Sequence, residues 1–176
     1  MLNHRLSTTM VKRVKKEINK SQLNIILVDN QYIYAPLKLH PNLQKRAEAA
    51  GLDPALVITL HEYPWKVPQV HYFSHHVSAI YGCGANRLMD EIYKMRGEAS
   101  CLCCSSILCS NNWNVTRGIK EIIDEFIDLT TLKARAQERK FCNRIQEKFF
   151  MCVKDSDGND SLKCLPLSDY RISDFL

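Results

Sequence analysis

The segment that most constrains this chain is 55–70, ALVITLHEYPWKVPQV. Its first half, ALVITLH, is a strong β-run, nearly continuous in apolar residues and rich in β-branched ones. Its second half carries Pro64 and Pro68. Proline fixes its own φ and pushes the preceding residue out of the helical region, so the spacing predicts a stiff, extended, non-helical exit from the strand. A chain with a strand of this kind must supply partners for its backbone and a cover for its apolar face.

Both lie nearby. Residues 23–28 (LNIILV) read as a strand, Asp29-Asn30 as a turn, and 32–39 (YIYAPLKL) as a returning strand. Before them, 6–20 read as an amphipathic helix. Leu6, Met10, Val14 and Ile18 recur every four residues along one face, and Ser7, Thr8 or Thr9 can cap it. Residues 42–51 suggest a short helix or a polar excursion ending at Gly51, and 70–81 a strand and then a loop. Gly82-Cys83-Gly84 breaks the chain, 86–96 look helical, and Gly97 ends that helix. Residues 116–129 form a second amphipathic helix with Ile119, Ile122, Ile123, Phe126 and Ile127 on one face, and another helix is expected over 131–151. DSDGND at 155–160 signals a hairpin turn. Helix, strands, irregular centre and helices in this order predict an α+β fold, with a domain over 1–150 and a C-terminal extension over 151–176.

Composition narrows the function. The 176 residues suit one domain with a modest appendage. No stretch approaches the ~20 consecutive apolar residues of a membrane span, and the N-terminus lacks the apolar centre of a secretory signal. A soluble chain in a reducing compartment, cytoplasmic or nuclear, is expected, with no membrane partner. The net charge of +5 is mild. Its basic residues, clustered in 5–20 and 133–148, lie at helical spacing beside apolar positions, so they read as solvated helix faces or a protein docking surface and not as a nucleic-acid site.

The chain has eight cysteines, and five lie between 83 and 109. In a reducing compartment this density points to thiol or metal chemistry before disulfides. Cys101-x2-Cys104 makes one zinc knuckle, with Cys83, Cys109, His71, His75 and His76 as further donors, but no second pair has clean spacing. Taken as a calcium loop, DSDGND would put Asp160 at position six and Pro166 at position twelve, where such a loop wants Gly and an acid. No cofactor or metal is therefore expected.

Two segments, in this order, resemble the ubiquitin-conjugating enzymes. In 56–70, Tyr63, Pro64, Trp65, Pro68 and Val70 match the family's Tyr-Pro-aromatic-x-Pro-Pro-x-Val, with Val67 replacing the first proline of the pair. In 104–123, Cys104, Ile107, Leu108, Trp113 and Ile119 match its Cys-Leu-x-Ile-Leu, loop, Trp-Ser-Pro and helix. The likeness covers roughly residues 6–127. It implies a UBC-like fold: an N-terminal helix, an antiparallel meander sheet and C-terminal helices.

It also implies a cysteine that accepts ubiquitin, or a ubiquitin-like protein, as a thioester from an activating enzyme and passes it to a substrate lysine. Register selects Cys104 as that nucleophile, with Cys101 and Cys103 as alternatives. Ubiquitin ligases would dock on Arg13, Lys16, Trp65, Asn114 and Val115, and the activating enzyme on Lys12, Lys15 and Lys16. The family's His-Pro-Asn before the cysteine is missing. Gly82-Cys83-Gly84 stands in its place, and His40-Pro41-Asn42 lies on the wrong side of the Tyr-Pro block and reads as a turn. Asn86, Asn111 and Asn112 are the candidates to replace its oxyanion-supporting Asn. The missing motif leaves two other readings open: a non-catalytic binding variant of the same fold and a zinc-stabilised interaction domain.

Overall fold

The computed structural model describes residues 6–73, 75–81, 88–97, 101–154 and 160–164, with side chains up to residue 143 except at 89. The expected Gly82-Cys83-Gly84 break, Asn86 and the tail after 164 lie outside the described residues.

The first helix, α1 (Thr8–Ser21), begins where Ser7 accepts a hydrogen bond from the Met10 N–H at 3.3 Å. Its predicted apolar face is the one that packs inward, with Val14 fully buried and Leu6 and Ile18 against the core. Gln22, in the left-handed region at φ 58°, ends it.

Four strands then meander in antiparallel order: β1 (Ile26–Val28), β2 (Tyr32–Pro36), β3 (Ala55–Thr59) and β4 (Gln69–Tyr72). A two-residue fifth strand, β5 (His75–His76), completes the sheet. Asp29 and Asn30 make the first turn with φ of 51° and 53°. Asp and Asn tolerate this left-handed region better than most residues. The registers Ile33↔Ile58 and Ile58↔Val70 stack three apolar residues on one face, while Tyr34, Val57 and Thr59 alternate onto the other.

Between β2 and β3, α2 (Pro41–Ala49) starts with Pro41 in its first turn, where a missing N–H costs nothing. His40-Pro41-Asn42 thus opens a helix instead of standing as a turn. Gly51, at φ 66°, lets the chain leave it, and the Leu52 N–H reaches back to the Ala47 carbonyl at 3.0 Å.

Further expectations fail between β3 and residue 81. The exit from β3 is coiled tightly at first, not extended throughout: the Trp65 and Lys66 N–H groups both bond the Glu62 carbonyl, at 2.8 and 3.1 Å. That turn reverses the chain so that β4 can pair with β3. Residues 77–81 form a short helix, α3 (Val77–Tyr81), and not a loop.

After α4 (Leu88–Arg96) and the four-residue α5 (Leu102–Ser105), one helix, α6 (Ile119–Phe149), runs for 31 residues. Two helices were expected there. Nothing at 129–131 breaks the ladder, and the Thr130 hydroxyl folds back onto the Phe126 carbonyl at 2.7 Å, so the polar side chain stays inside the helix. β6 (Phe150–Lys154) and β7 (Asp160–Cys164) then pair as a separate two-stranded sheet, flanking the predicted turn.

The protein is α+β, with an N-terminal helix, a five-strand antiparallel sheet and C-terminal helices. Ile119, Ile122, Ile123 and Phe126 of α6 meet the sheet's inner face, Tyr63 and Leu102 in one core. None of its helices is long and apolar enough to cross a membrane among the described residues.

A polar knot closes the end of this core. Glu17 accepts from the Arg13 guanidinium at 2.8 Å, the Tyr63 hydroxyl at 2.7 Å and the Ile119 N–H at 3.2 Å. Burial, and then the Glu17 carboxylate, push the Tyr63 phenol well above its ordinary range, so it stays a donor. Tyr63→Phe deletes only that donor and should cost about 1–3 kcal/mol. The exposed Tyr32→Phe should stay within about 0.5 kcal/mol. Urea denaturation midpoints of the two variants check this, and equal midpoints would refute the role given to Glu17.

Candidate functional site

The cysteine cluster sits on α5 and at its start. Cys101 occupies the N-cap position in extended conformation (φ −61°, ψ 136°), and Cys103 and Cys104 fall within the single helical turn that follows. Leu102, between them, is fully buried and plugs the turn into the core. One anchored residue thereby turns three thiols toward the same side. Cys104 is exposed, and Cys101 and Cys103 are half-buried.

Two polar anchors hold this segment from behind. Glu125 of α6 accepts from the Ser106 hydroxyl and from the Ile107 N–H, each at 2.7 Å. The Asn112 side chain donates to the carbonyls of Cys104 at 2.7 Å and Ser106 at 3.0 Å. The chain therefore leaves α5 by a defined path. Sequence reasoning missed Glu125 altogether: an acid on an amphipathic helix looks like a solvated residue, and only the fold shows that it faces a backbone N–H.

Asn112 was a candidate for oxyanion support. Both of its amide hydrogens are spent on those two carbonyls, so it organises the loop instead. Asn111 is exposed.

The thiols differ electrostatically. A hydrogen bond from Cys103, joined by the Cys104 N–H, holds the Cys101 thiol below its ordinary range. The same interaction with Cys101, and then burial, push Cys103 up to about 11. Cys103 Sγ lies 3.9 Å from Cys104 Sγ.

Cys103 also lines a cleft of about 200 Å³ with Val67, Pro68, Gln69, His76, Tyr81 and Leu108. Exposure and cleft are thus divided between neighbours: Cys104 faces solvent, and Cys103 faces the cleft. The His76 ring accepts from the Ser78 N–H at 3.2 Å and stands edge-on to His71 at 5.2 Å. Burial, and then His71, lower its pKa.

The predicted docking residues gather at one end of the molecule. The Arg13 guanidinium donates to the Val115 carbonyl at 2.7 Å and lies 5.7 Å from the Tyr63 ring centre, which ties α1 to the loop after Trp113. Trp113 itself donates its indole N–H to the Pro64 carbonyl at 2.8 Å, locking that loop to the Tyr-Pro turn. Trp65 is 71% exposed and Val115 38% exposed. Asn114 is exposed, and its side-chain oxygen accepts from the Thr116 N–H at 3.0 Å within its own loop. Lys12, Lys15 and Lys16 line the exposed side of α1. Arg13 is thus a structural tie as much as a surface charge.

His40-Pro41-Asn42 takes no part in the cysteine site. Asn42 bonds Glu138, which lies about 20 Å along α6 from Glu125 at 1.5 Å per residue. The knuckle's further donors divide in the same way. The only group of at least three close metal-ligating atoms among the described residues is Cys101, Cys103 and Cys104, without His71, His75, His76 or Cys109. Cys83 lies outside the described residues.

No protein-family model, curated protein or solved structure matches this chain.

The unequal thiols have a direct chemical readout, because the thiolate is the nucleophile. Under limiting iodoacetamide at about pH 8, near the ordinary Cys pKa, Cys101 should be alkylated before Cys103. Cys101→Ser should then speed the labelling of Cys103. Peptide mass mapping measures both, and equal rates at Cys101 and Cys103 in the native chain would show that the hydrogen bond between them does not govern their reactivity.

Proposed function

We propose that this chain is a ubiquitin-conjugating-type acyl carrier whose nucleophile is Cys104. The observation that carries the reading is the setting of Cys104. It is exposed on a turn plugged into the core by Leu102 and pinned by Glu125 and Asn112, and α6 follows it. A carrier thiol must be reachable by two large partners in succession and yet be rigidly aimed, and this setting meets both needs. The UBC-like fold belongs to the same proposal. Its support is the order of N-terminal helix, antiparallel meander, Tyr-Pro turn, cysteine turn and long helix, with Trp113 bridging back to Pro64.

The chemistry is two acyl transfers. The Cys104 thiolate attacks the thioester carbonyl of ubiquitin on the activating enzyme, and that enzyme's thiolate leaves. A substrate lysine amine then attacks the Cys104 thioester and loses a proton, and Cys104 departs as a thiolate. Each step passes through an oxyanion. Removing one oxyanion donor typically costs about 10²–10³ in rate. Because the Asn112 amide is committed to carbonyls, charging should be easier to see than discharge.

That commitment also favours a second reading, a non-catalytic module of the same fold that binds ubiquitin or a ubiquitin-like protein. One assay separates them. Incubation with activating enzyme, ATP and ubiquitin should give a reductant-sensitive adduct that is lost in Cys104→Ala and kept in Cys103→Ala. Ubiquitin binding without any adduct would sink the carrier reading in favour of the module.

The surface of Arg13, Lys16, Trp65, Asn114 and Val115 is the proposed ligase dock. Trp65 is its natural anchor, since exposed Trp is enriched among residues that dominate interfaces. Trp65→Ala should leave charging by the activating enzyme unchanged and weaken ligase binding by about 2 kcal/mol or more. Isothermal titration with a ligase domain would measure it, and unchanged affinity would remove Trp65 from the interface.

A further inference from the structure

We infer that Cys101, Cys103 and Cys104 form a three-thiolate site for a thiophilic metal ion, principally zinc(II). The three sulfur atoms lie within 4.8 Å of one another, and one pair stands at 3.9 Å. Zinc–thiolate bonds of about 2.3 Å place the sulfurs about 3.8 Å apart in a tetrahedral site and about 4.0 Å apart in a trigonal one. The closest pair already has that spacing, and the longest edge must close by about 1 Å at most, which side-chain rotation can supply.

Local structure explains the convergence. An N-cap residue and two residues of the turn that follows, with Leu102 buried between them, deliver three thiols from four consecutive positions, 101–104. Glu125 and Asn112 already hold the end of the turn and the segment after it in place. Thiolate sulfur selects zinc and copper(I) over the hard ions that prefer oxygen.

Three thiolates on a divalent ion carry a net negative charge. The Arg96 guanidinium is bonded to the Ser105 hydroxyl of the same turn at 3.1 Å. The exposed side of Cys104 leaves the fourth position open to water or another exchangeable ligand, which distinguishes the site from a closed, fold-stabilising zinc centre. Each thiol gives up its proton as it binds, so affinity rises with pH.

On the carrier reading above, a bound ion occupies the Cys104 lone pair and prevents charging. The metal site itself stands without that reading, and binding alone tests it. The reduced, metal-free full chain is titrated with zinc(II) against a chromophoric chelator. About one zinc per chain is expected, with cobalt(II) giving thiolate charge-transfer absorption at the same stoichiometry.

Cys104→Ser should weaken zinc binding at least tenfold, the lower end of what loss of even a supporting group costs. Cys109→Ser and Cys142→Ser should not change it. Alkylation mapping of the native chain, which needs no variant, should show zinc protecting Cys101, Cys103 and Cys104 but not Cys109 or Cys142. Failure of the native chain to bind zinc would overturn the inference, as would binding that survives Cys104→Ser unchanged or protection that falls on other cysteines. A chain that binds zinc but never charges would leave the site standing and remove the carrier reading. Charging without zinc binding would do the reverse.

Discussion

The Glu17 carboxylate is the interaction on which the arrangement depends. It sits on α1, yet it accepts from Tyr63 after β3 and from the first N–H of α6. Three segments distant in sequence therefore share one anion. An unbonded N–H at a helix start and a buried phenol are each costly, and one acceptor answers both. The Arg13 guanidinium balances the charge and reaches on to Val115, so the same knot sets the loop after Trp113. The start and direction of α6 follow from this end of the molecule.

The direction of α6 in turn positions the cysteines. Glu125 lies on that helix, six residues beyond its first residue, and holds the backbone just after α5. A shift of α6 along its axis would carry Glu125 away from the Ile107 N–H and loosen the turn that presents the thiols. The site is therefore built by two carboxylates on two helices, Glu17 setting the helix and Glu125 setting the cysteine segment. Leu102, driven inward by its own apolar surface, fixes which way the turn faces.

Most of the secondary structure could be read from the chain because it rests on local patterns. The face of α1, the Asp29-Asn30 turn, the strands of the meander and the apolar stripe of α6 all follow from periodicity and turn chemistry. The departures arose where a long-range demand or a short-range bond outweighed pattern. The Tyr-Pro exit coils because β4 must return beside β3. The long helix passes residue 130 because Thr130 satisfies its hydroxyl within the helix. At the site, register singled out Cys104 and the Trp65 end of the surface. It could not show that Asn112 is already spent on carbonyls, or that Cys103 faces a cleft while Cys104 faces solvent.

By itself, then, the sequence determined the α+β order of elements, the inward faces and the clustering of three cysteines within four consecutive positions. These depend on neighbours in the chain and on the partition of apolar side chains from water. Tertiary structure alone decided which acids became anchors, which asparagine lost its donors and which thiol stayed accessible. Glu17 and Glu125 look like any other acids on helices rich in charge. What distinguishes them is the N–H or hydroxyl that another segment brings within reach, and that pairing exists only once the chain has folded.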